Sequence, residues 1–241
     1  MVTGASAGIG EAVATALAAG GMKVALTARR GSRLNELAAA IEAAGGEALA
    51  CPADARDEAA LLGVFDAVRR AWGGVDVLVN NAGLGRVASV SSGATADWRE
   101  MWEVNVLALS ICTREALADL ERRGEDGHII HISSLSGHRV PEGTGGMYSA
   151  TKHAVRALTE ALRRELHAAG RGTRVTAISP GNVETEFAEV MLGDADAAEA
   201  LYGRYPCIQV EDIAEAVRYV LAQPSAVQVH DILLRPTRQP T

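Results

Sequence analysis

The chain alternates two kinds of apolar pattern. Short, nearly continuous apolar or β-branched runs fall at residues 23–28, 47–51, 75–79, 128–133, 174–179 and 231–234, and these read as strands covered on both faces. Between them lie longer stretches rich in Ala and Leu with helical spacing, at 9–19, 34–44, 57–72, 95–123, 148–169 and 211–223. Glycine pairs at 20–21, 45–46 and 73–74 close the first three helices, and Asp57 supplies an N-cap to the third. Residues 1–3 end a first strand that has only two or three residues before the first glycine. Alternating strands and helices predict parallel strands joined by right-handed crossovers. The expected architecture is a single α/β domain over 1–241, a doubly wound, mostly parallel sheet of about seven strands. Residues 181–208 lack periodicity and are expected to form a lid over the substrate.

Composition narrows the functional classes. Apolar residues make up 48% and charged residues 22% of 241 residues, enough for a large core and unlike a disordered tail protein. Aromatics are only 4% and glycines number 25, which suits close helix–sheet packing better than a sandwich or barrel. The net charge of −7 works against nucleic acid as a partner, because a basic face supplies most of that affinity. It gives no reason to expect an anionic membrane either. No apolar run reaches the ~18 residues of a bilayer span, and the first residues carry neither a charged leader nor an apolar signal core. A cytoplasmic protein is expected. Cys51, Cys112 and Cys207 form no C-x-x-C or His-spaced pattern, so they read as idle thiols in a reducing compartment and no metal site is expected.

The candidate chemistry begins at the first turn. Gly4, Gly8 and Gly10 lie in a turn that follows a strand and opens a helix, the context a dinucleotide site requires. Glycines there let the backbone approach a pyrophosphate, and the helix N-terminus offers unpaired N–H groups and positive dipole charge. The end of the second strand reads Thr27-Ala28-Arg29-Arg30 and has no carboxylate for a ribose 2′-hydroxyl. Two guanidinium groups instead suit a 2′-phosphate, which favours NADP(H) over NAD(H). Tyr148 and Lys152 are four apart on one helix face. An ammonium ~5 Å from a phenol lowers the phenol's pKa by about two units, which brings it into range for acid–base work. Ser133 and Ser134 close the fifth strand, at the sheet end where ligands bind.

These motifs come in a telling order: TGxxxGIG, Asn80-Asn81-Ala82-Gly83, Ser134, Tyr148-xxx-Lys152 and Pro180-Gly181. Together they closely resemble the short-chain dehydrogenase/reductase family, over nearly the whole chain. The resemblance implies a Rossmann fold and a set of roles. Tyr148 matches the acid/base, Lys152 the lysine that lowers its pKa and binds the nicotinamide ribose, and Ser134 the serine that polarises the substrate carbonyl, ahead of Ser133 and Ser136. Asn105 matches the asparagine that holds a water in a proton relay. Ser6 and Ile9 lie in the phosphate turn, and Asn81, Ala82 and Gly83 form a cofactor wall. Asp54 matches the residue that contacts the adenine amino group, Thr185 the threonine near the nicotinamide carboxamide, and Pro180, Gly181 and Val183 are further cofactor-binding positions. The short first strand departs from the family pattern.

The ending, with Glu211–Tyr219 and His230–Thr237, resembles the branch that holds NADP-dependent 3-hydroxy acid dehydrogenases and clavulanate-type aldehyde reductases. A small aldehyde, ketone or hydroxy acid is therefore the expected substrate. A 3-oxoacyl-carrier-protein reductase, with Arg139 and Arg204 at a basic entrance, and a non-catalytic NADP-binding regulatory protein are the alternatives. The composition fits a high-GC bacterium. The family's habit implies a homo-oligomer, tetramer or dimer, packed through the helices at 95–123 and 148–169. In the second of these, Ala150, Ala154, Ala157 and Ala161 permit either helix pairing or core packing. Four acidic lid residues, Glu189, Asp194, Asp196 and Glu199, would repel anionic substrates if they faced inward.

Overall fold

The computed structural model describes residues 1–143 and 145–240. Seven strands form one parallel sheet: β1 Val2–Thr3, β2 Lys23–Ala28, β3 Glu47–Pro52, β4 Val77–Asn80, β5 His128–Ile132, β6 Arg174–Pro180 and β7 Asp231–Leu234. Their order is β3-β2-β1-β4-β5-β6-β7, and every pairing is parallel. The order reverses between β1 and β4, which opens a crevice outside the carboxyl ends of those strands. β1 spans only two residues, yet Val2 pairs with Leu26 on one side and Val79 on the other.

Helices cover both faces. On one side α1 (Gly8–Ala19), α2 (Gly31–Ala43) and α9 (Val210–Leu221) bury Val13, Leu17, Leu34, Ile41, Ile213 and Val217 against Val79, Ile130 and Ile178. On the other, α3 (Glu58–Trp72), α5 (Ala108–Arg123) and α6 (Gly146–Ala168) pack Phe65, Val68, Ile111 and Leu162 on Leu78, Ile129 and Val175. Adjacent Ile129 and Ile130 thus serve opposite cores, which explains the unbroken apolar runs.

Several boundaries differ from the sequence reading, each for a physical reason. α2 starts at Gly31, three residues earlier than its apolar periodicity, because its first turn is polar and solvated. The fourth strand begins at Val77; Val75 instead gives its N–H to Asp119 Oδ2 at 3.1 Å. The helix expected over 95–123 is α4 (Thr95–Trp102), a π turn (Glu103–Leu107) and α5. One inserted residue turns Asn105 inward without disturbing the 3.6-residue pattern enough to be read. The segment at 181–208 contains α7 (Phe187–Leu192) and α8 (Ala195–Tyr202), the latter capped by Asp194. A bridge between Val183 and Ile208 ties its two ends together. Asp57 caps α3 as expected, accepting from Ala60 N at 3.1 Å.

β5 carries two buried histidines. His131 shares hydrogen bonds with Thr159 at 2.8 Å and Thr113 at 3.3 Å, and His128 with Thr176 at 2.8 Å. Burial pushes them down to about 3 and about 4, so both are neutral fillers of the sheet. Cys51 and Cys112 are buried and Cys207 half-buried, all free. Ala150, Ala157 and Ala161 of α6 face solvent, so core packing does not account for them. Among the described residues no helix is long and apolar enough to cross a membrane, and no cluster of ligating side chains could hold a metal ion.

Candidate active site

The crevice at the carboxyl ends of the strands has a volume of about 590 Å³. Its floor is the turn from β1 into α1. Gly4 and Gly8 hold φ of +67° and +58°, and a Cβ at Gly10 would collide with the Gly4 carbonyl oxygen and lie 2.5 Å from Asn81 Nδ2. Gly10 lies behind the crevice and lets α1 close on β1; Gly4, Ser6, Gly8 and Ile9 line it. No side chain caps α1, whose preceding residue Ala7 is extended. The free N–H groups of its first turn, and the unpartnered buried hydroxyls of Thr27 and Ser133 on the crevice wall, fit a phosphorylated nucleotide.

The other wall is built around Thr3. Its hydroxyl accepts from the N–H groups of Asn81 and Ala82, both at 2.9 Å, and Asn81 Nδ2 returns a bond to the Thr3 carbonyl at 3.0 Å. This pins residues 81–83 along the crevice. Thr3 escaped the sequence reading as a functional residue, although it opens the glycine motif. Pro180, Gly181, Val183 and Thr185 also line the crevice, with Thr185 against the site a Gly8 Cβ would fill.

Arg29, Arg30 and Asp54 line the crevice just beyond the ends of β2 and β3. Asp54 is held on both oxygens by Arg56, with Arg56 Nη2 at 2.6 Å from Oδ2, and this contact holds its carboxyl at about 2. Arg30 donates to Ser6 Oγ at 3.1 Å and pairs with Glu186 at 2.7 Å; Arg33 meets the other oxygen of Glu186 at 2.6 Å. Arg33 and Arg30 hold Glu186 below the usual carboxylate range. Neither Glu186 nor Arg33 carries a sequence signal, since 153 residues separate them.

At the opposite end three elements converge. Ser134, after β5, accepts from Ser136 N at 3.1 Å and starts a short 3-10 turn. Tyr148 and Lys152 come from the first two turns of α6. Lys152 Nζ lies 5.8 Å from the centroid of the Tyr148 ring and donates to the Ile132 carbonyl at 3.0 Å. The Tyr148 ring packs at a tilt on Phe187 of the lid, centroids 5.6 Å apart.

The phenol is not shifted down, as the spacing to the lysine predicts, but up. Burial pushes Tyr148 up to about 12, against a smaller lowering by the Ser134 hydroxyl, and burial pushes Lys152 down to about 8. The Lys152 ammonium is spent on the Ile132 carbonyl, and burial sets the direction for the phenol.

Asn105 does not line the crevice. Its Oδ1 accepts from Leu84 N at 2.8 Å, and its Nδ2 donates to Leu84 O at 2.9 Å and Thr151 Oγ1 at 3.0 Å. Both Nδ2 donors and one Oδ1 lone pair join the wall after β4 to α6, with Gly83 between the side chain and Lys152.

The segment 181–208 supplies Phe187, Val190, Met191, Leu192, Leu201 and Tyr202 to the crevice. Glu189, Asp194, Asp196 and Glu199 are exposed and line none of it, so they do not repel a substrate from within. Arg139 lines the crevice while Arg204 is exposed outside it, which leaves the basic entrance of a carrier-protein reductase without its second residue.

Comparison with known proteins agrees with this geometry. The family model described as short chain dehydrogenase matches residues 1–194. Dehydrogenase/reductase SDR family member 11 of Bos taurus is 51% identical over 100% of this chain and 96% of its own length. Farnesol dehydrogenase of Aedes aegypti is 41% identical over 98% of this chain and 94% of its own. These relatives are animal proteins and lend no support to a bacterial source. A structure of the closed form of serine dehydrogenase complexed with NADP+ superposes with a TM-score of 0.92 at 36% identity, over 100% of this chain and 95% of that one. Motif order, parallel sheet and these matches lead to one conclusion: the chain belongs to the short-chain dehydrogenase family and is an oxidoreductase.

Proposed function

We propose that the protein is an NADP(H)-dependent oxidoreductase that interconverts a carbonyl compound and its alcohol. The observation that carries this is the convergence of Ser134, Tyr148 and Lys152 on one end of a crevice whose other end holds the uncapped α1 N-terminus and Arg29 and Arg30. A bound nicotinamide supplies or accepts the hydride equivalent. The chain's own residues handle the oxygen. The Ser134 hydroxyl donates a hydrogen bond to the substrate oxygen and shares its developing charge. Tyr148, kept protonated by burial, gives that oxygen its proton in reduction and takes it back in oxidation. Lys152 holds positive charge beside the phenol and orients the ribose. Asn105 acts from behind, fixing the Leu84 backbone and α6.

NADP(H) is favoured over NAD(H) because the adenosine end carries two arginines and its carboxylates are already engaged, Asp54 by Arg56 and Glu186 by Arg30 and Arg33. The apolar lid face favours an aldehyde or ketone with an apolar remainder over a hydroxy acid, and the similarity to a farnesol dehydrogenase points the same way. The test is NADPH oxidation over a panel of carbonyl compounds, with both Michaelis constants measured. A lower KM is expected for NADPH than for NADH, and Arg29→Ala should raise the NADPH value by about tenfold or more while barely moving NADH. No oxidation of NADPH with any carbonyl, or a lower KM for NADH, overturns the reading.

We also infer a homo-oligomer, tetramer or dimer. Trp102, Leu107 and Leu158 are exposed apolar side chains on the α4–α5 and α6 surfaces, beside the solvent-facing alanines of α6. Light scattering should give a mass that is a multiple of 25.1 kDa, and a monomer at micromolar concentration overturns the inference.

A further inference from the structure

Glu186 belongs to the lid, but its carboxylate does not stay there. It is the residue before α7 and lies just beyond the Val183–Ile208 bridge that ties the lid's base. The side chain reaches across the crevice rim and gives one oxygen to Arg30 and the other to Arg33. Arg30 in turn donates to Ser6 of the glycine turn. Arg30 thus links three chain segments, the glycine turn, the start of α2 and the segment carrying Glu186, where the second strand ends.

Two guanidinium groups, each facing one oxygen of a carboxylate, make a donor set that a phosphate monoester also takes. A phosphate arriving at Arg30 would find a negative charge already seated there. Both cannot use the same donors, and the phosphate carries more charge and a third oxygen. The seat is also open to exchange: Arg30, Arg33 and Glu186 side chains are 44%, 46% and 44% exposed, so water screens the pairs and holds them only weakly.

We infer that Glu186 is a built-in stand-in for the 2′-phosphate, a latch that holds the start of the lid against Arg30 and Arg33 until a 2′-phosphorylated nucleotide displaces it. This rests on the NADP(H) reading above and extends it to specificity: Glu186 sets how tightly the 2′-phosphate binds and couples that event to the lid. Linkage makes the coupling reciprocal, so loosening the latch must tighten the phosphate.

Binding and exchange measurements test this without turnover. Dissociation constants are measured for NADPH, NADH, adenosine 2′,5′-bisphosphate and 5′-AMP on the wild type and on Glu186→Gln. The variant should bind NADPH and the bisphosphate about threefold to tenfold more tightly, with NADH and 5′-AMP changed by less than about twofold. Amide hydrogen exchange over 184–192 gives the second readout. The bisphosphate should speed exchange there in the wild type while 5′-AMP does not, and in Glu186→Gln exchange should be fast before any ligand is added. Arg33→Gln, which removes one partner from the other side, should also speed it. Unchanged or weaker binding of both 2′-phosphorylated ligands by Glu186→Gln overturns the latch. If the wild type binds NADPH tightly but the variant shows no gain, the latch alone fails. If the wild type binds the bisphosphate no better than 5′-AMP, the NADP(H) reading fails with it.

Discussion

Tyr148→Phe is expected to lower the turnover of carbonyl reduction by about 10²–10⁴-fold, the usual worth of a positioned acid. NADPH binding should stay within about twofold, because loss of kcat without loss of binding marks an interaction made in the transition state. The ring itself still packs on Phe187, so the lid keeps its contact. The pH dependence separates the two groups. In reduction the phenol must be protonated, and burial to about 12 keeps it so across the working range. The ammonium of Lys152, at about 8, is the group that titrates first. Reduction by the wild type should therefore decline as pH rises through about 8, while oxidation, which needs the phenol to lose its proton, gains over the same range. Steady-state rates in both directions against pH check this. Near-normal turnover in Tyr148→Phe would remove the acid/base assignment, and a flat reduction profile across about 7–9 would show that the Lys152 charge does not assist the reduction.

The same residues show what could be read from the sequence and what could not. The four-residue step from Tyr148 to Lys152 is local, and a helix places both on one face whatever else happens. The glycine turn and the parallel strands were legible for the same reason, since each is coded within a few residues. The sign of the Tyr148 shift was not. Spacing gives distance, but burial and the Ile132 carbonyl decide the outcome, and both come from other elements. Asn105 was found as a motif residue, yet its partners Leu84 and Thr151 lie 21 and 46 residues away, so its positioning role emerged only from the fold. Glu186 and Arg33 left no trace, because an exposed acid and an exposed base read as solvated surface until the crevice brings them together. The π turn was invisible because one extra residue shifts a helical pattern less than ordinary sequence variation does.

Asp119 belongs to that unreadable part and should carry the largest stability effect. It sits on α5 between Ala118 and Leu120, among charged residues of both signs, yet it is 0% exposed. Its Oδ1 takes Arg69 Nε at 2.6 Å and also Arg122, while its Oδ2 takes Val75 N. The carboxylate thereby bolts the turn from α3 into β4 onto α5. Asp119→Ala leaves Arg69 half-buried beside the gap and strands the Val75 N–H. Breaking one side of a buried pair costs about 3–5 kcal/mol, and the surviving partners of Arg69, Glu115 at 3.0 Å and Asp66 at 2.9 Å, place the effect at the lower end. For a domain of this size a loss of about 3 kcal/mol lowers Tm by about 6–12 °C. Asp119→Asn should lose less, since its carbonyl oxygen still accepts from Val75. Because the network stands at the amino end of β4, opposite the crevice, kcat and the NADPH dissociation constant measured well below the new Tm should match the wild type. A Tm within about 2 °C of the wild type would show that Arg69 is held by its other partners. Lost nucleotide binding in the cold would instead show that the two ends of β4 are coupled. The contrast with Tyr148 is a property of the sheet: the carboxyl ends of its strands carry chemistry and the amino ends carry stability, so one substitution should abolish turnover in a stable protein and the other should destabilise a working one.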